Sequence, residues 1–155
     1  MSGVRYLFRL SETVILFVLA AALIAHATPR DEQTVEELKA RVASAKVGDR
    51  PHLCVQIAEK QLGEADKFYA ANEVEKGQAA LTDVVAFSEL ARDYSIQSHK
   101  YKKQTEIATR SMTRKLNDLL HTLGHDDQVP VRDAINRLQR VRDDLLAAMF
   151  PKGAK

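Results

Sequence analysis

The chain has 155 residues, of which 45% are hydrophobic, 28% charged and 6% aromatic, about one domain's length of chain. Six glycines and four prolines are too few for a sandwich, barrel or collagen-like chain, and the single cysteine excludes a disulfide framework and any CxxC-type metal or haem site. With 23 basic against 21 acidic residues, no strong global field points to nucleic acid as a partner.

The first thirty residues read as a secretory leader. Arg5 and Arg9 make a basic start, Thr13 to Ala25 is an apolar run, and Ala25-His26-Ala27 is a small-x-small triplet of the kind signal peptidase cuts. An apolar helix of that length spans about 20 Å, short of a bilayer core of about 30 Å. A cleaved signal fits these flanks better than an anchor. The expectation is export, to the bacterial periplasm or the medium, after cleavage near Ala27. A membrane contact arises only through the leader, if it is retained.

Residues 28–48 read as a polar lead-in and a short helix. Thr34-Val-Glu-Glu37 matches a capping box, in which threonine and glutamate satisfy each other's backbone N–H groups. The helix should run to about Lys46, stopped by Gly48, and its few apolar positions predict that it docks loosely or frays. Asp49-Arg50-Pro51 then opens the bundle domain, 49–155, with an N-cap candidate and a first-turn proline. Cys54, Ile57, Ala58, Leu62, Ala65, Phe68 and Tyr69 recur at helical spacing, which makes Cys54 a buried apolar residue rather than a reactive thiol. Asn72-Glu-Val-Glu75 resembles a second cap, so residues 51 to about 97 form an antiparallel hairpin.

From Gln78 to Leu123 there is neither glycine nor proline. Stripes at Val74, Leu81, Val84, Val85, Ser88, Ala91 and Ser95, and at Tyr101, Thr105, Ala108, Met112, Leu116, Leu119, Leu120 and Leu123, flank a polar stretch, Ser98 to Lys103. One helix of about 75 Å competes with two helices bent near Ser98. The lack of a local breaker favours one continuous segment, about 73–123. Gly124 is a C′ candidate, and Asp126 and Asp127 can cap a last helix with Pro130 in its first turn. That helix carries the cleanest amphipathic stripe, Val131, Ala134, Ile135, Leu138, Val141, Leu145, Leu146 and Met149, with Arg132, Arg137, Arg140 and Asp144 outside. The fold class is all-α: antiparallel helical hairpins forming a small bundle around the long central segment, preceded by the signal helix.

Chemistry is scarce. No glutamate has histidine three residues on, and Asp118-x-x-His121 is the nearest imitation of a di-metal motif. His121 and His125, with Asp126 and Asp127, are the candidate metal ligands if the turn folds back. The competing reading is a helix-terminal histidine beside an acidic cap. No GxSxG elbow and no glycine-rich phosphate loop occurs, so no enzyme and no cofactor is expected. Leu81-Thr82 is followed by Val85, where the signature of exported helical stress chaperones has glutamine, so that family's pattern is not met.

Charge is patterned more sharply than it is summed. Residues 59–93 carry a net −4 and residues 94–115 a net +5. The basic side chains Lys100, Lys102, Lys103, Arg110, Arg114 and Lys115 therefore form the candidate contact face, for a protein or an anionic envelope component, or for head-to-tail self-association. The functional expectation is an exported module that works by contact rather than catalysis, possible as a homo-oligomer. The alternative is a bundle that binds a metal or small ligand.

Overall fold

The computed structural model describes residues 33–151; the leader, its cleavage point and Gly153 lie outside them. The described chain is all-α, with five helices and no strand: α1 (Val35–Ser44), α2 (Arg50–Ala70), α3 (Val74–Ser98), α4 (Lys102–Leu120) and α5 (Gln128–Met149). The described residues from 34 onward form one compact unit. None of the described helices is long and apolar enough to cross a membrane.

The capping box at α1 forms as the sequence indicates. The Glu37 amide donates to Thr34 Oγ1 at 3.2 Å, and the Thr34 amide donates to Glu37 Oε2 at 2.8 Å. This helix docks. Leu38 and Val42 are buried with Leu53, Cys54, Ile57 and Ala91, and Lys39 reaches Asp83 of α3 at 3.2 Å. Asp83 also accepts from Gln61 of α2 at 2.9 Å, so one carboxylate ties three helices together.

The predicted caps at Asp49, Asn72 and Asp127 do not form. Asp49 and Asp127 sit in helical backbone conformations and make no side-chain capping bond. Asn72 ends α2 instead of starting α3. It takes the left-handed conformation, φ 59°, which asparagine tolerates better than most residues. The amides of Asn72 and Glu73 return to the carbonyls of Tyr69 and Phe68 at 3.0 and 2.8 Å, a Schellman closure that satisfies the last carbonyls of α2.

The continuous central helix expected over 73–123 is overturned. The chain reverses at His99–Tyr101, where His99 (φ 57°) and Tyr101 (φ 61°) both take the left-handed conformation. Ser98 supplies the local hydrogen bonds: its Oγ donates to the Tyr94 carbonyl at 2.6 Å and accepts from the Lys100 amide at 3.3 Å. Each left-handed residue costs roughly 1–2 kcal/mol. Burying a single large apolar side chain contributes about 1.5–3 kcal/mol. Reversal buries several, because Leu81, Val84 and Val85 of α3 then share a core with Met112, Leu116 and Leu119 of α4. A straight helix would hold those two stripes apart.

The four longer helices form a bundle in which α2 packs on α3, α3 on α5, α5 on α4 and α4 on α2. Successive helices alternate in direction, so α3 and α5 run parallel, as do α2 and α4. Two inter-helix ion pairs hold α3 against α5. Arg137 grips Glu89 through three hydrogen bonds of 2.9–3.1 Å, and Arg92 meets Asp144 at 2.9 Å. Burial opposes the charge on Arg92, but hydrogen bonds and charge from Asp93 and Asp144 outweigh it and raise its pKa above the ordinary value. Arg137 and Asp144 thus act between helices rather than merely facing solvent. Phe87 packs against both the main core and the smaller one beneath α1.

Gly77 is required by a close approach. A Cβ there would lie 2.8–3.1 Å from the buried Tyr69 ring. Gly63, in the middle of α2, has nothing within 4 Å of its own Cβ position. Replacing an interior helical glycine by alanine ordinarily gains up to about 1 kcal/mol, and Gly63→Ala is expected to show that gain in urea unfolding. Gly77→Ala is expected to show the opposite sign, a net loss of about 1–3 kcal/mol from overpacking. Equal effects at the two sites would refute the packing of Tyr69 on α3.

Candidate interaction surface

The basic residues of the candidate contact face are divided by the helix they occupy. Lys103, Arg110 and Arg114 stand seven and eleven residues apart on α4, one solvent-facing stripe at 3.6 residues per turn. All three are exposed. Arg110 lies 3.8 Å from Glu106, while Lys103 and Arg114 have no ion-pair partner among the described residues. Ile107 sits between Lys103 and Arg110 on the same stripe and is 44% exposed.

The other three basic residues are engaged elsewhere. Lys102 is half-buried and donates to the Ala148 carbonyl of α5 at 3.2 Å. The stem of Lys100 lies over Gly48, whose Cβ position is 3.2 Å from Lys100 Cδ. Lys115 lies about 120° around α4 from Lys103 and faces α2. The structure therefore brings together three of the six and adds Ile107. Sequence reasoning passed over Ile107, although it lies off the core stripe of Thr105, Met112 and Leu116, and that position was the available signal.

Between α2 and α4 runs an open groove of about 360 Å³, lined by Glu59, Leu62, Gly63 and Asp66 on one side and Lys115, Asp118, Leu119 and Thr122 on the other. Leu62 and Leu119 are buried at its floor, 4% and 6% exposed. Glu59, Asp66 and Asp118 form no ion pair among the described residues. A second groove, about 340 Å³, lies where α1 and the start of α2 meet Tyr101. There the ring of His52 stacks on that of Tyr101 at 6.2 Å, and His52 Nε2 meets the Gln56 amide at 3.1 Å.

The interior around the reversal is polar and internally satisfied. Ser95 and Thr105 share a hydrogen bond of 2.9 Å, and Thr109 donates to the Thr105 carbonyl at 2.8 Å. Glu106, only 7% exposed, accepts from Arg142 at 2.9 Å. Tyr69 Oη is buried without a hydrogen-bond partner among the described residues, and burial together with the charge of Asp127 pushes its pKa up.

His121, His125, Asp126 and Asp127 occupy the α4–α5 turn, with all but Asp127 exposed. No group of three or more histidine, cysteine, aspartate or glutamate side chains is gathered as a metal site among the described residues. His121 is the C-cap of α4 in a helical conformation, so α4 ends at Leu120, before Gly124, and the two histidines share no helix face. Cys54 is fully buried, and burial, against a smaller opposing effect of Arg50, pushes its thiol up to about 11. A protonated, enclosed thiol is no nucleophile.

No family model, no curated protein and no solved structure matches the chain.

Cys54 carries a pH dependence whose sign is fixed by its burial. Its folded-state pKa is above the ordinary value of 9.0, so the stabilising effect is complete below pH about 9 and is lost as pH rises towards about 11. The difference in unfolding free energy between the protein and Cys54→Ala should shrink across that window by on the order of 2 kcal/mol. The thiol should also resist maleimide at pH 8 until the protein is unfolded.

Proposed function

We propose that this chain is an exported helical module that acts by contact and not by catalysis, through the face of α4 that carries Lys103, Ile107, Arg110 and Arg114. The observation that carries this reading is the unbalanced character of that stripe. Most of the inter-helix charges in the bundle are matched: Arg137 by Glu89, Arg92 by Asp144, Arg142 by Glu106 and Lys39 by Asp83. The α4 stripe keeps three cations, with one long ion pair among them, around an exposed isoleucine. Cations flanking an apolar side chain suit an anionic protein surface, where charge steers the encounter and the apolar group gains by desolvation.

The export part of this reading rests on the leader in the sequence, and contact over chemistry is supported by the enclosed thiol of Cys54 and by the lack of a gathered metal-ligand set among the described residues. Lys102 and Lys100 have structural roles at the reversal and are left out of the face, as is Lys115.

The test is in-cell crosslinking of the tagged chain. Reversal of Lys103, Arg110 and Arg114 to glutamate is expected to remove the crosslinked adducts, with helicity by circular dichroism and the melting temperature within about 2 °C of the parent, since exposed charges contribute little to stability. Adducts that survive the triple reversal would sink the reading.

A further inference from the structure

The groove between α2 and α4 and the stripe on α4 repeat one spacing with opposite charge. On α2, Glu59, Gly63 and Asp66 stand at i, i+4 and i+7, with Leu62 beneath them. On α4, Lys103, Ile107 and Arg110 stand at i, i+4 and i+7. Each set spans about 10.5 Å: two carboxylates around a glycine and a leucine, and two cations around an exposed isoleucine. A helix laid parallel on α2 sets Lys103 over Glu59, Ile107 over Gly63 and Arg110 over Asp66. Laid antiparallel, it sets Ile107 over Leu62 and still pairs both cations with carboxylates.

The room for this is present. Nothing lies within 4 Å of the Gly63 Cβ position, and the groove holds about 360 Å³. Asp118 adds a third carboxylate to the lining and Lys115 one ammonium, so the lining stays two charges negative. The stripe cannot reach the groove of its own chain, because the stripe and one wall of the groove are faces of the same helix, α4, about 100° apart.

We infer that the Lys103–Ile107–Arg110 stripe of one copy seats in the α2–α4 groove of a second copy, joining the chain to itself head to tail. The inference rests on the contact reading above and names its partner. Each copy offers one stripe and one groove, so the contact either closes reciprocally in a twofold pair, stripe to groove twice, or propagates into a ring or a filament. Because charge supplies much of the match, the assembly weakens steeply with salt, as the screening length falls from about 10 Å at 0.1 M to about 3 Å at 1 M.

The experiment uses the full chain with its own leader, in two differently tagged copies expressed together. One carries Ile107→Cys and the other Gly63→Cys, and a short bis-maleimide is added; the buried Cys54 does not compete. The expected product carries both tags, and neither copy alone crosslinks to itself. A product between two copies of Ile107→Cys, or no product from the mixture, overturns the inference. A charge swap guards against misfolding. Lys103→Glu with Arg110→Glu in one copy, and Glu59→Lys with Asp66→Lys in the other, should each reduce self-association alone by at least about tenfold, since like charges then face each other. Mixing the two should restore it, because reversed stripe meets reversed groove and native stripe meets native groove. Failure of the mixture to recover overturns the inference. If stripe reversal removes adducts to other molecules while the groove variants change nothing, the contact reading stands and self-association falls. If stripe reversal changes nothing at all, both fall.

Discussion

The reversal at His99–Tyr101 is the constraint on which the rest of the bundle depends. Two residues held in left-handed backbone are an expense with no glycine to relieve it, and the packing on either side must offset it. The surroundings are fitted to this. Ser95 of α3 and Thr105 of α4 are small, hydroxylated and bonded to each other at 2.9 Å, so the two helices close together near the turn, and Ser88 and Thr109 are buried hydroxyls further along them. Their hydroxyls bond to each other or to carbonyls one turn back, which leaves these buried groups satisfied. The bundle trades apolar bulk for hydrogen-bonded closeness at one end and recovers it at the other, around Leu62, Leu81, Leu116 and Leu138.

Once α4 turns back, α3 becomes a shared wall. It packs against α2, α4 and α5 and is tied to α1 through Asp83. The ion pairs Glu89–Arg137 and Arg92–Asp144 then keep α5 alongside α3. Half-buried and geometrically exact pairs of this kind are worth more for alignment than for stability. α2 and α4 share the main core through Leu62, Ala65, Leu116 and Leu119, and the rims Gly63, Glu59, Asp66 and Lys115 do not close over Leu62 and Leu119.

Legibility in the sequence followed the range of the interactions involved. The capping box at Thr34, the first-turn prolines at Pro51 and Pro130, the core stripes and the buried Cys54 are local or periodic and readable from spacing alone, except that Tyr101, placed on the α4 stripe by its spacing, is 39% exposed at the reversal. Asn72 was misassigned because asparagine favours both an N-cap and a left-handed helix end, and only the return bonds to Phe68 and Tyr69 tell the two apart. The reversal was hidden for a different reason: no residue between Ser98 and Lys102 forbids a helix, so the break is imposed from a distance. The proposed contact face is half visible in the sequence. Its charge could be counted along the chain, but Lys100, Lys102 and Lys115 were separated from Lys103, Arg110 and Arg114 only by where α4 points.

What the sequence determined by itself was the all-α class, the number of amphipathic stripes and the segregation of acidic from basic segments, because periodicity and charge are properties of residues near one another in the chain. The tertiary structure decided where the central segment breaks, which helices run side by side, and which cations share a face with an exposed isoleucine across from nothing of their own. Those outcomes depend on apolar area buried between residues far apart in sequence, and that area is large enough to override the backbone's preference for continuing the helix.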